Sequence, residues 1–273
     1  MRPQTLRVAG HFGELLQGRI GRDGPVALVT LPCPVLGVTA SLAEGLGFAI
    51  TAASAAIIPE ARAIKLLTLL DISISGTLSF SAEMPPGGGA GVSTAALVAL
   101  AGLAGWEGVP MLLARACIAV EGASDPLMLS RPSQTLWASR QGEILTTLPP
   151  PPAMEITGGF FGPPRRTDPQ DVDFPDIADL IPQWQDACAG RDLARVAALA
   201  SLSASRTLAH RGTQSDPIAS LAADLGALGY VIAHTGAARG LIFAPGKIPP
   251  HASVALHDAG LHGIIQFRTG GGR

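Results

Sequence analysis

The sequence is poor in charge and in aromatic side chains. Only 15% of its 273 residues are charged and 4% are aromatic, and lysine occurs only as Lys65 and Lys247. The formal net charge of −2 leaves no dense basic face of the kind that nucleic-acid binding requires. Two lysines also provide no polybasic tether to an anionic membrane. We therefore expect neither nucleic acid nor a membrane among the partners.

Cysteines are few, and apolar runs long enough to cross a membrane are missing. Cys33, Cys117 and Cys188 lie far apart and form no Cys-x-x-Cys pair, which argues against a zinc site or a dithiol redox motif. The odd count and the lack of a secretory leader are typical of a reducing cytoplasm, where we place the protein. The apolar stretch from Phe48 to Ile58 is too short to span a bilayer.

What the sequence does contain is enough apolar material for a large core. Hydrophobic residues make up 47% of the chain, which excludes a disordered protein and allows one large or two small domains. Four consecutive prolines, Pro149 to Pro152, predict a boundary between residues 1–150 and 151–273. Strands separated by helices and tight glycine turns predict an α+β sandwich in each half.

The residue pattern also predicts individual elements. Strands are expected over 6–10, 26–31, 35–42, 48–58, 72–80, 154–161, 230–234, 241–244 and 264–267, with a hairpin over 136–148. Helices are expected over 60–70, 94–103, 110–121, 177–188, 193–209, 217–228 and 251–259.

A glycine-rich loop between a strand and a helix is the strongest physical signal. Four glycines between Pro85 and Thr94 permit backbone conformations closed to other residues and remove side chains that would block a ligand. The first amides of the following helix lack internal acceptors and carry the positive end of its dipole. With the hydroxyl of Ser93, these features predict a phosphate cradle, and such a hydroxyl can also bind Mg²⁺.

The alternative from the residues alone is a glycine loop with Ser93 as an ordinary helix N-cap. The loop is not a P-loop, because it lacks Gly-Lys-Ser/Thr. It is not a dinucleotide fingerprint either, because no Gly-x-Gly-x-x-Gly opens a βαβ unit here.

The loop does resemble the phosphate loop of the galactokinase, homoserine kinase, mevalonate kinase and phosphomevalonate kinase (GHMP) superfamily. The similar segment runs from Pro85 to Ala95, with Val92 where the first serine of that loop usually stands. Thr94 resembles the L-threonine kinases of cobalamin side-chain synthesis and propanediol utilisation. Two further segments resemble that branch in the right order, one from His11 to Val35 and one from Ala233 to Leu241.

The resemblance implies a two-domain fold and a phosphotransfer activity. The first domain would be like ribosomal protein S5 domain 2, with the phosphate loop at 85–95, and the second would be ferredoxin-like. The implied function is ATP- and Mg²⁺-dependent phosphorylation of a small hydroxylated metabolite, above all L-threonine. Another acceptor such as homoserine, and a family member that binds nucleotide or metabolite without turnover, remain alternatives. The implied partners are ATP and a hydroxy amino acid, and a second copy of the chain is a candidate partner.

The resemblance also assigns roles to residues. Asp125 matches a family aspartate that acts as base or orients the acceptor hydroxyl, its alternative being an Asx turn before Pro126. The family's metal-binding glutamate would fall at Gly122, so Glu121 is a candidate Mg²⁺ ligand beside Ser93, its alternative being a solvated helix-end side chain. The residues expected to hold the phosphates of ATP are Pro86, Gly87, Gly88, Gly89, Ala90, Gly91, Val92, Ser93 and Thr94.

The first motif supplies candidate acceptor contacts. Glu14 could bind a substrate ammonium or instead fix the loop by accepting backbone amides, and Gln17 would be a neighbouring polar contact. His11 and Phe12 replace the Ser/Thr-Cys of the threonine kinases, which puts threonine in doubt if the pair touches substrate. For His11, a surface or packing histidine is the alternative reading.

The third motif contributes a turn. Thr235 and Gly236 are candidate substrate contacts, in a segment that in the superfamily packs against the phosphate loop. Arg239 could reach a phosphate or a carboxylate, or be solvated. The pair Arg165–Arg166 is expected to be solvated in a loop. The remaining histidines show no metal spacing: His210, His251, His257 and His262.

Overall fold

The protein, in a computed structural model, is described over residues 4–165, 168–212 and 215–271. Within these ranges the chain forms ten strands and seven α-helices. The strands are β1 (Gln4–Arg19), β2 (Val26–Ala43), β3 (Phe48–Ile50), β4 (Gly76–Ala82), β5 (Thr135–Ala138), β6 (Glu143–Thr147), β7 (Met154–Phe160), β8 (Gly229–Ile232), β9 (Ala238–Phe243) and β10 (His262–Thr269). The helices are α1 (Glu60–Leu69), α2 (Val92–Leu103), α3 (Pro110–Glu121), α4 (Leu180–Ala189), α5 (Leu193–His210), α6 (Ile218–Asp224) and α7 (Ala252–Asp258).

The strands join into one hydrogen-bonded sheet in the order β10-β7-β9-β8-β1-β2-β4-β3, with β5 paired to β2 and β6 to β5. The last four strands in the chain, β7 to β10, form antiparallel pairs with one another. Helices α4 to α6 connect β7 to β8, and helix α7 connects β9 to β10. Their order 4-1-3-2 is that of a ferredoxin-like β-α-β-β-α-β unit, which confirms the predicted fold of this half. Within the sheet, β1 of the first half pairs with β8 of the second half at Glu14 and Ile232.

Helices α2 and α3 bring the site residues together, and their ends follow ordinary rules. Helix α3 begins with Pro110 at its first turn and ends at Gly122, whose φ of 81° a glycine adopts without strain. Helix α2 is rich in alanine and leucine and is buried against β1 and β2. The sequence predicted the bounds of α3 correctly and placed the start of α2 two residues late.

Strands β1 and β2 are much longer than the sequence indicates. The predicted strand over 6–10 continues to Arg19, and the two strands predicted over 26–31 and 35–42 are one. Pro32 and Pro34 lie between the two predicted strands, and register shifts after Ala9 and after His11 let β1 and β2 stay paired on both sides of these prolines.

The strand predicted over 48–58 is wrong beyond Ile50. The chain leaves the sheet and forms a short 3₁₀ turn, Ser54–Ala56. The Ser54 hydroxyl lies 2.7 Å from Thr51 Oγ1 and accepts a hydrogen bond from the Phe80 amide at 2.7 Å. Such local side-chain bonds compete with strand pairing, which the apolar composition alone does not reveal.

The core is continuous across the proposed boundary at Pro149–Pro152. One apolar cluster takes residues from β1, β2 and α2 together with β7, α4 and α5, and a second lies between α6, α7 and strands β8 and β9. The division into 1–150 and 151–273 therefore stays a prediction about folding units. In the described part of the chain, no helix combines the length and apolar character that a membrane crossing needs.

Candidate active site

The glycine-rich loop reaches α2 through three residues in left-handed conformation. Gly87, Gly89 and Gly91 have φ angles of 79°, 74° and 75°, which other residues rarely adopt. Gly91 is the residue that precedes the helix, and no side chain caps the helix start. The reading of Ser93 as the N-cap is therefore wrong, because Ser93 already lies inside the first turn.

Backbone of β1 holds the loop in place. The amide of His11 donates to the Ala90 carbonyl at 3.1 Å, and the amide of Gly13 donates to the Gly89 carbonyl at 3.4 Å. The strand can turn these amides away from its sheet because Gly13 has a φ of 75° and the register shifts there. The irregular part of β1 is therefore the support of the loop.

The turn between β8 and β9 packs against the other side of the loop. The Ala238 amide donates to the Gly88 carbonyl at 2.9 Å. A Cβ on Gly236 would come within 2.2 Å of the Gly89 nitrogen and 2.4 Å of the Gly88 carbonyl carbon. Only a glycine fits at this close approach, so the third motif supports the loop.

A cavity of about 250 Å³ opens beside the loop. Its described lining includes most of the residues expected to hold phosphate, namely Pro86, Gly87, Gly89, Ala90, Gly91, Val92, Ser93 and Thr94, together with His11, Glu14, Glu121, Asp125 and Thr235. The cavity thus gathers residues of all three motifs. Gly88, Gln17 and Gly236 are not among the described lining residues.

Three titratable side chains meet on one wall of this cavity. His11 Nε2 lies 3.3 Å from Asp125 Oδ2, and His11 Nδ1 lies 3.5 Å from Glu14 Oε1. Thr94 donates from its hydroxyl to the same Asp125 oxygen at 3.4 Å and accepts the Asp125 amide at 3.3 Å. Asp125 is thus held by tertiary contacts and not by an Asx turn, and the reading of His11 as a surface or packing histidine is wrong.

The electrostatics of this cluster favour one charge distribution at neutral pH. Burial lowers the pKa of His11, but Asp125 and Glu14 outweigh it and raise the pKa to about 9. Burial raises the pKa of Glu14 to about 8, against the effect of His11. Burial also opposes ionisation of Asp125, yet His11 and Thr94 hold its pKa below the usual range. At neutral pH, His11 is therefore a charged imidazolium, Asp125 is ionised and Glu14 is a neutral carboxylic acid.

Oxygen ligands gather at the start of α2. The Ser93 hydroxyl donates to Glu121 Oε1, which also lies 3.2 Å from Arg62 Nη1. The Glu121 side chain is only 10% exposed, so its reading as a solvated helix end is wrong. A hydroxyl and a carboxylate side by side are ligands that Mg²⁺ prefers.

Other sequence-predicted residues have structural roles. The Gln17 amide is fully buried and donates to the Ile232 carbonyl at 3.3 Å. Phe12 points into the core, edge-on to Phe160 and Phe267 at ring distances of 5.6 and 6.0 Å. The replacement at Phe12 is therefore a change of core packing, while His11 faces the cavity.

Arg239 is neither solvated nor in the cavity. Its guanidinium pairs with Asp216 at 2.6 Å and donates to the carbonyls of Gly236 and Ala238. Arg165 is exposed in a loop, as predicted, while its backbone amide donates to the Gly87 carbonyl at 2.9 Å and the residue borders the cavity. Arg166 lies outside the described residues.

Arg140 and His234 are among the polar lining residues that the sequence analysis missed or underrated. Arg140 follows β5 and His234 follows β8, and both line the cavity. Arg140 had no local signal at all, because a lone arginine in a hairpin turn is typical of a solvated surface.

The fold is that of small-molecule kinases of the GHMP type, over the full length of the chain. No protein-family model and no curated protein matches the sequence. A solved structure assigned as a homoserine kinase from Listeria monocytogenes is similar with a TM-score of 0.64 and 18% identity, covering 97% of this chain and 96% of that one.

Two further solved structures show the same fold. The mevalonate kinase of L. major, in complex with R-mevalonate, has a TM-score of 0.62 and 14% identity, covering 98% of this chain and 96% of that one. The phosphomevalonate kinase of Streptococcus pneumoniae has a TM-score of 0.60 and 13% identity, covering 99% and 100%. At these identities the likeness defines the fold, which agrees with the architecture that the sequence resemblance implied.

Proposed function

We propose that this protein is an ATP-dependent kinase that phosphorylates the hydroxyl group of a small metabolite. The observation that carries the proposal is the placement of Asp125, held by His11 and Thr94, in the same cavity as the glycine-rich loop. Phosphoryl transfer needs a group that holds the phosphates next to a group that positions the acceptor hydroxyl. The glycine-rich loop would hold the phosphates, and the Asp125 carboxylate can accept a hydrogen bond from the hydroxyl.

The residues at the start of α2 fit a nucleotide and its metal. Glycines without side chains and the free amides of the helix start suit an anionic triphosphate. Ser93 and Glu121 would hold Mg²⁺, which neutralises charge on the phosphates when bound. One solved structure with a similar fold, described as MDDEF, is in complex with MVAPP, AMPPCP and magnesium. That complex supports the proposal that a site of this kind holds a nucleotide together with magnesium.

Asp125 is better suited to orient the acceptor hydroxyl than to act as a general base that takes up its proton. Among the described residues, both side-chain contacts of its carboxylate go to Oδ2, which leaves Oδ1 for an acceptor hydroxyl. The adjacent imidazolium keeps the pKa of Asp125 low and so weakens it as a base. In a loose phosphoryl-transfer transition state, the oxygen attacks before it needs to lose its proton, so orientation suffices.

L-threonine is our first candidate for the acceptor, because Thr94 and the ordered motifs resemble the L-threonine kinases of cobalamin side-chain synthesis and propanediol utilisation. Homoserine is the second, since a similar structure is assigned as a homoserine kinase. Phe12 no longer weighs against threonine because it lies in the core. The environment of Glu14 does not favour an ammonium there, because His11 already occupies that side of the carboxyl group.

The experiment is ADP release from Mg-ATP, screened over L-threonine, L-serine, L-homoserine and a panel of small alcohols. We expect turnover with one hydroxylated acceptor. Asp125→Asn should lower kcat by about 10²-fold, because loss of the ion pair with His11 lets the side chain that orients the acceptor move. Nucleotide affinity of that variant should stay within about twofold. Glu143→Gln, a change at an exposed carboxylate of β6, is the matched control.

A protein that binds ATP but turns over no acceptor in the panel would contradict the kinase proposal and favour a nucleotide- or metabolite-binding role.

A further inference from the structure

Arg140 places a guanidinium group at the cavity, and its polar contacts are with uncharged groups. Its guanidinium donates to the Ser139 hydroxyl at 2.7 Å and to the Asp171 backbone carbonyl at 3.2 Å, and Nη1 lies 3.4 Å from His234 Nε2. The Asp171 carboxylate itself pairs with Arg211 at 2.7 Å. Among the described residues, no carboxylate lies within ion-pair distance of Arg140.

Two polar atoms of this group lack partners. Arg140 Nε and His234 Nδ1 are both buried, and neither has a hydrogen-bond partner among the residues that the structure describes. Because an arginine can only donate, His234 Nε2 must accept, and the proton of the neutral imidazole then resides on the unpartnered Nδ1. His234 is 8% exposed and stacks on Phe174 at 3.8 Å, which fixes the ring.

The neutral state of His234 also follows from its surroundings. Burial, Arg140, Arg211 and His11 together hold its pKa well below the usual range. Burial likewise lowers the pKa of Arg140, and the carboxylates of Asp171, Asp125 and Asp168, which lie beyond ion-pair distance, offset only part of this cost. An anion bound here would relieve that cost.

The position of Arg140 identifies which part of a bound complex it would face. The Ser124 amide donates to the Ser139 carbonyl at 2.9 Å, so Arg140 is tied directly to the segment that carries Asp125. Arg62, in contrast, lies with Glu121 and Ser93 at the start of α2, where the nucleotide phosphates are proposed. Arg140 therefore lies on the acceptor side.

We infer that Arg140, backed by His234, is the subsite for a carboxylate of the acceptor, which makes the acceptor a small hydroxy acid and not a neutral alcohol or sugar. This inference rests on the proposed kinase activity. The hydroxyl end of the acceptor lies at Asp125 and its carboxylate end at Arg140. The planar guanidinium has the geometry to hold a carboxylate.

The test compares an acid that the wild type phosphorylates with its carboxamide, beginning with L-threonine and L-threoninamide. We expect kcat/KM for the acid to exceed that for the amide by about 30-fold or more, as for loss of one buried charge-paired contact. Arg140→Gln should abolish this preference, chiefly by raising KM for the acid, and Arg140→Lys should restore part of it. Arg131→Gln, an exposed arginine before β5, is the control.

Arg140 could bind either the carboxylate of the acceptor or the phosphates of the nucleotide. The affinity for a non-hydrolysable ATP analogue, measured without acceptor, distinguishes these two possibilities. Unchanged affinity in Arg140→Gln supports the inference and shows that the variant is folded. A large loss of nucleotide affinity, or an acid preference that survives the substitution, overturns it.

Ligand binding without turnover would test the Arg140 subsite independently of the proposed kinase activity. If the wild type turns over nothing, thermal stabilisation by the acid and by the amide is compared in both proteins. Stabilisation of the wild type alone, by the acid alone, rejects the kinase and keeps the subsite. Absence of that difference rejects both.

Discussion

His11 and Asp125 form an ion pair at 3.3 Å on one wall of the cavity, and the first comes from an irregular stretch of β1 while the second comes from the loop after α3. The pair couples the segment that supports the glycine-rich loop to the residue proposed to orient the acceptor. Its geometry and its charges lead to predictions that separate catalysis, folding and nucleotide binding.

Replacing His11 by glutamine should move the acidic limb of the pH profile. Without the imidazolium, burial is no longer offset and the pKa of Asp125 rises. The fall of kcat/KM at low pH should therefore begin at a higher pH than in the wild type, while nucleotide affinity stays within about twofold. His257→Gln, at an exposed histidine of α7, should leave the profile unchanged. An acidic limb that does not move in His11→Gln would show that the pair does not set the state of Asp125.

The same cluster should make folding stability fall as pH rises. Glu14 keeps its proton up to a pKa of about 8 in the folded protein, against 4.5 as its ordinary value, and His11 keeps its proton up to about 9 against 6.5. The folded state thus binds more protons than the unfolded state between pH 4.5 and 9. Urea unfolding should show a steady loss of stability over this range.

Glu14→Gln should flatten the stability profile between pH 5 and 8, because the amide cannot titrate. Glu143→Gln, at the exposed carboxylate of β6, should leave it unchanged. Equal slopes in the wild type and in Glu14→Gln would contradict the assignment of a neutral Glu14.

A methyl group on Gly236 should disturb the phosphate loop. The added Cβ would meet backbone of Gly88 and Gly89 at 2.2 to 2.4 Å, so the turn or the loop must shift. Overpacking of this kind costs about 1–3 kcal/mol, which corresponds to a loss of nucleotide affinity of about 5- to 150-fold if the loop moves. Gly45→Ala is the control, since the nearest atom to its Cβ is 3.6 Å away. Unchanged ATP affinity and stability in Gly236→Ala would contradict the close packing.

Arg239→Gln should destabilise the fold and leave nucleotide binding intact. Its partner Asp216 is 1% exposed, and removing one member of a buried pair costs about 3–5 kcal/mol. Arg268→Gln breaks a pair with Glu155 in which the arginine side chain is 74% exposed, and it should cost less than about 1 kcal/mol. The measurement is urea unfolding of both variants, followed by ATP titration at a temperature where they remain folded. A stable Arg239→Gln with weak ATP binding would instead place Arg239 in the nucleotide site.

Local sequence rules were enough for most helices and for the loop. Pro110 and Gly122 mark both ends of α3, and Gln141-Gly142 marks the hairpin between β5 and β6. The glycine pattern identified the loop because left-handed backbone at three positions requires glycine. The error at Phe48–Ile58 arose where a serine side chain, Ser54, satisfied backbone groups that a strand would have paired.

The sequence by itself determined the glycine-rich loop, the supporting turn and the α+β class, because these depend on backbone conformation and on periodic burial within short segments. Only the tertiary structure decided that His11 is the charged partner of Asp125, that Arg239 pairs with Asp216, and that Arg140 reaches the cavity. These are contacts between residues far apart in the chain. The pKa of a side chain depends on the charges and the burial that folding brings to it, and no local pattern records them.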